Sequence, residues 1–306
     1  MRFSGHETFI CRYTWLPKAC SAIAENPSVL TNDEEAMVKL GVGKNMVNSI
    51  RFWVEVMGVA IPNRQQKVFN LTTFGRRVFS EDGFDPYLEN IQTLWLLHWH
   101  LSSRKADPIF AWNFLLNRWP YPELSRSEVV TAFEREGKRL GYSHSSVTLA
   151  QHLDIFLRTY LPSQKRTAIE DSLDSPFVEL ALLRQSGQRR IGLKGPLEDV
   201  YLFRREAKPE LTKAVFEYCL DDYWNRWHQT ERTLTFRDIA VAECSIGQVF
   251  KLPEDDLRTR LELYVMSGVA QPFEYQLSAV QGQVTRNNIP DYDFLATVYE
   301  TGYNHG

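Results

Sequence analysis

The chain has 306 residues, is 43% hydrophobic and 24% charged, and carries a net charge of −3; such a composition buries more than one core and excludes disordered and fibrous classes. No apolar run approaches the roughly 18 residues of a membrane span, and the opening MRFSGHET lacks the apolar stretch of a secretory signal, so a cytoplasmic location is expected, with no membrane partner. The near-neutral average conceals an asymmetry, because residues 1–79 hold ten Lys and Arg against six Asp and Glu, whereas residues 206–306 hold nine against sixteen; phosphate contacts are therefore expected at the front.

The first stretch, FSGHETFICRYTWLPKA, crowds His6, Glu7, Arg12 and Lys18 among Phe3, Phe9, Tyr13 and Trp15. Such a concentration of imidazole, carboxylate, cations and aromatic rings in seventeen positions raises the question of what chemistry it serves. The same aromatics suit a plain anchoring role, in which they pin the amino terminus onto the next unit while His6 and Glu7 satisfy backbone groups.

Next comes TNDEEAMVKLGVGKNMVNSIRFWVEVMGVA. Thr31 with Glu34 fits a capping box, so a helix is predicted from near Asn32 to Gly41 and Gly43. A second helix over Lys44–Met57 places Met46, Val47, Ile50, Trp53, Val54 and Met57 on one apolar stripe, and leaves Lys44, Asn45, Asn48, Ser49 and Arg51 for the exposed face. VAIPNRQQKVFNLTTFGRRVF then reads as strand, polar turn with Arg64 and Lys67, returning strand, and a segment with Arg76 and Arg77, which completes a winged-helix pattern. Lys44, Asn45, Asn48, Ser49, Arg51, Arg64, Lys67 and Arg76 are the candidate DNA contacts, since amides pair with adenine, arginines with guanine, and wing cations with phosphate.

Residues 86–119 are apolar on most sides and predict two buried helices joined near Lys105–Pro108. His98 and His100 would share a face only on a strand; on the helix expected here they diverge, which favours core histidines over a metal pair. A second winged-helix-like unit follows, with helices over SRSEVVTAFEREGKRLG and from near Ser145, a polar linker PSQKRTAIEDSLDSP, and a hairpin turning at Ser186-Gly187 among Arg184, Arg189, Arg190 and Lys194. The acidic end repeats the plan with a long helix near 210–228, a helix with Pro253 at its first position and Leu257, Leu261 and Val265 inward, and the hairpin FEYQLSAVQGQVTR; it reads as a partner-docking or dimerisation module. Cys11, Cys20, Cys219 and Cys244 have no metal-site spacing and read as reduced structural thiols. The expected fold is mainly α with small β-hairpins: tandem winged-helix-like modules over 1–80, 126–205 and 206–306 around a helical connecting segment, 81–125.

FSGHETFICRYTWLPKA, LGVGKNMVNSIRFW, LDSPFVELALL and GQVFKLPEDDLRTRLE, in this order, resemble the signature stretches of the SspB family, long catalogued as a domain of unknown function. The resemblance implies a DNA-nicking component of a bacterial DNA phosphorothioation system for modification and antiviral defence, akin in logic to restriction–modification. It implies as partners DNA, a cysteine desulfurase, an ATP-pyrophosphatase-like protein and an ATPase. The nicking that the resemblance implies would call on Mg²⁺ or Mn²⁺ and no organic cofactor, and the opening cluster offers residues for it: His6 as acid, base or metal ligand, Glu7 to orient it or hold the metal, and Arg12 to face the scissile phosphate. The alternative is a non-catalytic adaptor or regulator that places those enzymes on DNA.

Overall fold

The computed structural model describes residues 1–163, 175–191, 195–265, 271–277 and 282–300. The first unit comprises α1 (Trp15–Glu25), a 3-10 turn at Val29–Thr31, α2 (Asp33–Leu40), α3 (Lys44–Val56), the antiparallel pair β1 (Ala60–Asn63) and β2 (Val68–Leu71), and α4 (Thr73–Phe79). The cap of α2 is Asn32 rather than Thr31: its side chain accepts from the Glu34 and Glu35 amides, and Thr31 belongs to the preceding turn. At the other end Gly41 takes a left-handed conformation (φ 68°) and hands the chain to α3. The apolar stripe of α3 is present, with Val47, Ile50, Trp53, Val54 and Met57 buried, each large side chain contributing about 1.5–3 kcal/mol. Gly75 in α4 is required by close approach, since a Cβ there would sit 2.1 Å from the Val59 carbonyl oxygen.

The two buried helices of the connecting segment are α5 (Ile91–Ser102) and the short α6 (Phe110–Asn113), which runs into a π-type turn over Phe114–Arg118. Around α5 collect the 3-10 turn Pro176–Leu180, α9 (Lys213–Trp227) and α11 (Ile246–Phe250). The unit between them contains β3 (Glu123–Ser125), α7 (Arg126–Arg139), α8 (Ser146–Tyr160), β4 (Leu183–Arg190) and β5 (Leu197–Phe203), in an antiparallel sheet of order β3-β5-β4. Ser145 caps α8 by accepting from the Thr148 amide at 3.1 Å. Most of the expected polar linker, and Lys194, lie outside the described residues.

Ser186-Gly187 does not turn the chain. It forms a bulge within β4, and the pair closes further on, where the Ile191 amide donates to the Pro196 carbonyl at 3.1 Å. A Ser-Gly step marks bulges as well as turns, and only the pairing partner distinguishes them.

The last unit repeats the order, with β6 (Thr233–Thr235), α10 (Phe236–Ala240), α11, α12 (Glu254–Glu262), β7 (Phe273–Gln276) and β8 (Gln283–Arg286) in a sheet β6-β8-β7, followed by α13 (Phe294–Glu300). Pro253 is the residue before α12 rather than its first, and Val265, expected inside, is 43% exposed while Leu257 and Leu261 are buried. Mainly helical architecture with small antiparallel sheets is thus what the chain adopts. One hydrophobic cluster runs through it from Phe3 to Tyr299. The end returns to the front: Arg77 holds Asp293 through two bonds of 2.9 and 2.6 Å, and Phe84 stacks on Tyr299 at 4.7 Å.

Candidate nucleic-acid interface

The exposed edge of α3 is smaller than its sequence pattern implied. Lys44 and Asn45 are exposed at its start, and Asn48 is half-buried. Ser49 is wholly buried and donates to the Phe9 carbonyl at 3.4 Å, so it leaves the interface. Arg51 is folded back: its guanidinium donates to the Leu30 carbonyl, to Asp33 at 2.8 Å and to Asn48 at 2.8 Å. Lys44 reaches the other Asp33 oxygen at 2.9 Å. Hydrogen bonds from Lys44 and then Arg51 hold the Asp33 carboxyl below its usual range. One carboxylate from α2 therefore folds Arg51 back and also pairs with Lys44, which stays exposed, an arrangement that helix periodicity on α3 alone does not reveal. Arg64 and Lys67 stand exposed at the β1–β2 turn, and Arg76 is exposed on α4.

The opening stretch forms a strap between this unit and the next. Phe3 stacks on Phe110 at 4.3 Å and lies against His144 at 4.2 Å. His6, 5% exposed, meets His152 of α8 with Nε2 3.1 Å from Nδ1. The Ala111 amide donates to His152 Nε2 at 3.0 Å and the Thr8 amide to His6 Nδ1 at 3.3 Å, so each ring has one nitrogen against the backbone and the other turned to its partner ring. Burial pushes the His6 pKa down to about 4; for His152, burial first and the neighbouring His6 and His144 next push it to about 3. Further along, the Phe9 carbonyl accepts from the Trp53 indole at 3.1 Å, Arg12 lies over the Trp15 ring at 5.4 Å, and Tyr13 donates to Glu179. Glu7 is exposed with φ 47°. The group that meets the His6 ring is thus His152, 146 residues away, rather than the adjacent Glu7.

A model of the family described as protein of unknown function (DUF4007) matches residues 3–299. The chain belongs to this family. Among solved structures, this DUF4007 protein is similar to a magnesium ion-bound SspB crystal structure, with 27% identity, a TM-score of 0.81, and coverage of 97% of this chain and 87% of that one. A second SspB crystal structure matches at 26% identity and TM-score 0.79 over the same shares. The resemblance read from the four motifs is therefore borne out. No curated protein matches the chain.

Magnesium in the SspB relative raises the question of fit in this family member. Among the described residues no three or more His, Cys, Asp or Glu side chains converge as a metal cage, and Mg²⁺ or Mn²⁺ wants oxygen donors, which the His6–His152 pair does not supply. No step below runs through such an ion. His98 and His100 are core groups: His98 accepts from Tyr160 at 2.7 Å and donates to the Val249 carbonyl at 3.0 Å, while His100 lies 2.9 Å from the Tyr218 hydroxyl and accepts from Arg226 at 3.1 Å. All four cysteines are free and buried. No helix among the described residues is long and apolar enough to cross a membrane.

Proposed function

We propose that the protein is the DNA-binding, DNA-nicking component of a bacterial DNA phosphorothioation system. Kinship with SspB supports the system, and with it association with the phosphorothioation machinery. The observation that carries DNA binding is the run of exposed cations along one helix-turn-helix and its hairpin: Lys44 with Asn45 at the start of α3, Arg64 and Lys67 on the turn, and Arg76 on α4. We read this unit as a winged helix whose α3 meets the groove while the hairpin cations meet phosphate. The acidic carboxy-terminal unit, a poor phosphate binder, is read as the docking surface for the partner enzymes or a second copy.

A specific observation favours the adaptor as second reading: His6, the general acid-base candidate, is enclosed by packing, which suits a strap better than an acid-base group. The two are separated with supercoiled plasmid, Mg²⁺ or Mn²⁺, and an EDTA control. Open-circular product that disappears in the Lys44→Ala/Arg64→Ala/Lys67→Ala variant supports the nicking enzyme. Tight binding with plasmid left supercoiled supports the adaptor. Binding unchanged in the triple variant, with a wild-type melting curve, sinks the DNA face; the expected loss is a drop in salt slope of about 0.9 per phosphate contact removed.

A further inference from the structure

Three aliphatic side chains stand out of the acidic unit where the end of α12 meets the edge strand β7: Leu263 is 56% exposed, Val265 43% and Leu277 65%. Buried groups hold their backbones in place. Tyr264 and Tyr275 point inward, and the Tyr275 amide donates to the Tyr264 carbonyl at 3.0 Å, which joins the two segments that carry the three side chains. The Val265 amide donates in turn to the Glu262 carbonyl at 3.2 Å, closing the turn that leaves Leu263 and Val265 in solvent. Single exposed aliphatics are ordinary, but several together inside a polar rim mark a contact surface.

The rim here is anionic. Five carboxylates against two arginines give α12 and β7 together a net charge of −3. One of those arginines, Arg260, is turned inward to Asp256 at 2.8 Å and to the Leu211 and Lys208 carbonyls. The other, Arg258, lies over the Phe236 ring at 4.0 Å. Lys213, over the Tyr264 ring at 4.7 Å, is held by Glu217 at 2.6 Å. Glu254, Asp255 and Glu262 stay exposed along α12 and Glu274 half-buried on β7, and among the described residues none of the four forms an ion pair. Carboxylates in the first turn of α12 favour the helix itself; Glu262, its last residue, opposes the helix dipole, so the stability of α12 does not account for it. The first unit has the same order of helix then hairpin with the opposite sign, since Lys44 and Asn45 open α3 whereas Glu254 and Asp255 open α12. Such a rim repels nucleic acid and attracts cations.

We propose that the patch of Leu263, Val265 and Leu277 is where the acidic unit docks a partner protein, and that the partner presents a cationic segment: an apolar anchor seated on the three side chains, flanked by Lys or Arg that meet Glu254, Asp255, Glu262 and Glu274. The anchor supplies the affinity and the ring of charges the orientation and the rate of encounter. This deepens the reading of the acidic unit as a docking surface and rests on it, and it is independent of whether the protein nicks DNA.

The test uses the full chain and fluorescence anisotropy with three labelled peptides of about 14 residues, long enough to form a helix: an amphipathic Leu/Lys helix, the same peptide with Glu for Lys, and the same with Ser for Leu. Wild type is expected to bind the Leu/Lys peptide at least about tenfold more tightly than either control. Leu263→Ser should weaken that binding roughly tenfold, the scale of one lost apolar anchor, with melting unchanged because the side chain is exposed. Glu254→Gln/Glu262→Gln should flatten its salt dependence. Undiminished binding by a stably folded Leu263→Ser/Leu277→Ser protein overturns the inference and leaves an acidic docking unit standing elsewhere. Equal binding of the Ser-for-Leu peptide overturns it as well, since charge alone then suffices. Wild type that dimerises in light scattering and is dispersed by Leu263→Ser gives the patch to a second copy and overturns the partner protein. Failure of wild type to bind any of the peptides removes both the patch and the docking reading.

Discussion

Replacing His6 with Ala separates the two roles proposed for the opening strap, and its cost follows from the geometry. The ring is 5% exposed and shares a hydrogen bond with His152, itself 1% exposed. His6→Ala leaves the buried Nδ1 of His152 without its partner, at about 1–3 kcal/mol. It also removes a ring packed on Phe52 at 5.7 Å and on His152 at 5.4 Å, for a total of about 2–4 kcal/mol. With an unfolding entropy of about 2.1 cal/mol/K per residue over 306 residues, calorimetry should show Tm lower by about 3–6 °C, with DNA binding and nicking per folded molecule unchanged. The pH dependence sharpens the test. The folded values, about 4 for His6 and about 3 for His152, lie below the unfolded value near 6.5. Between pH ~6.5 and ~4 the unfolded chain therefore binds more protons, so stability is full above that window and falls as pH drops through it, by up to about 1.4 kcal/mol per unit for each ring. The gap between wild type and His6→Ala should narrow toward acid pH. A variant that melts like wild type at every pH yet loses nicking about 100-fold would refute the strap and restore His6 to an active site.

Arg51→Ala should act on stability rather than on DNA, costing about 1–3 kcal/mol through the lost bonds to Leu30, Asp33 and Asn48; a reduced salt slope with normal melting would return Arg51 to the interface. Trp53→Ala, which empties a fully buried site and removes the donor to the Phe9 carbonyl, should cost about 3–5 kcal/mol in denaturant titrations. Deleting residues after Arg205 should not release a folded DNA-binding fragment, because α5 would lose Asp222 from Trp99, the Val249 carbonyl from His98 and Phe250 from Trp95; a soluble monomeric fragment with a sharp melting transition would contradict this.

What the sequence alone determined is local. Apolar residues at helical spacing placed α3, α8 and α9, glycine ended α2, and Leu-rich flanks settled that His98 and His100 sit on a helix and not a strand. These follow from periods of a few residues and from caps that act within one turn. Four motifs in order also sufficed to recognise the family. What only the tertiary structure decided depends on groups distant along the chain. Ser49 looked exposed because a single helix shows nothing of the strap that covers it. Arg51 looked like a DNA contact because its acceptors lie on the preceding turn and helix. Ser186-Gly187 is a bulge because β5 pairs across it. His6 and Glu7 looked like a working pair because they are adjacent, yet the ring that meets His6 belongs to His152, brought there by the docking of α8 against the front of the chain. Hydrogen bonds and burial are satisfied in space, while sequence reports only the order of the residues that satisfy them.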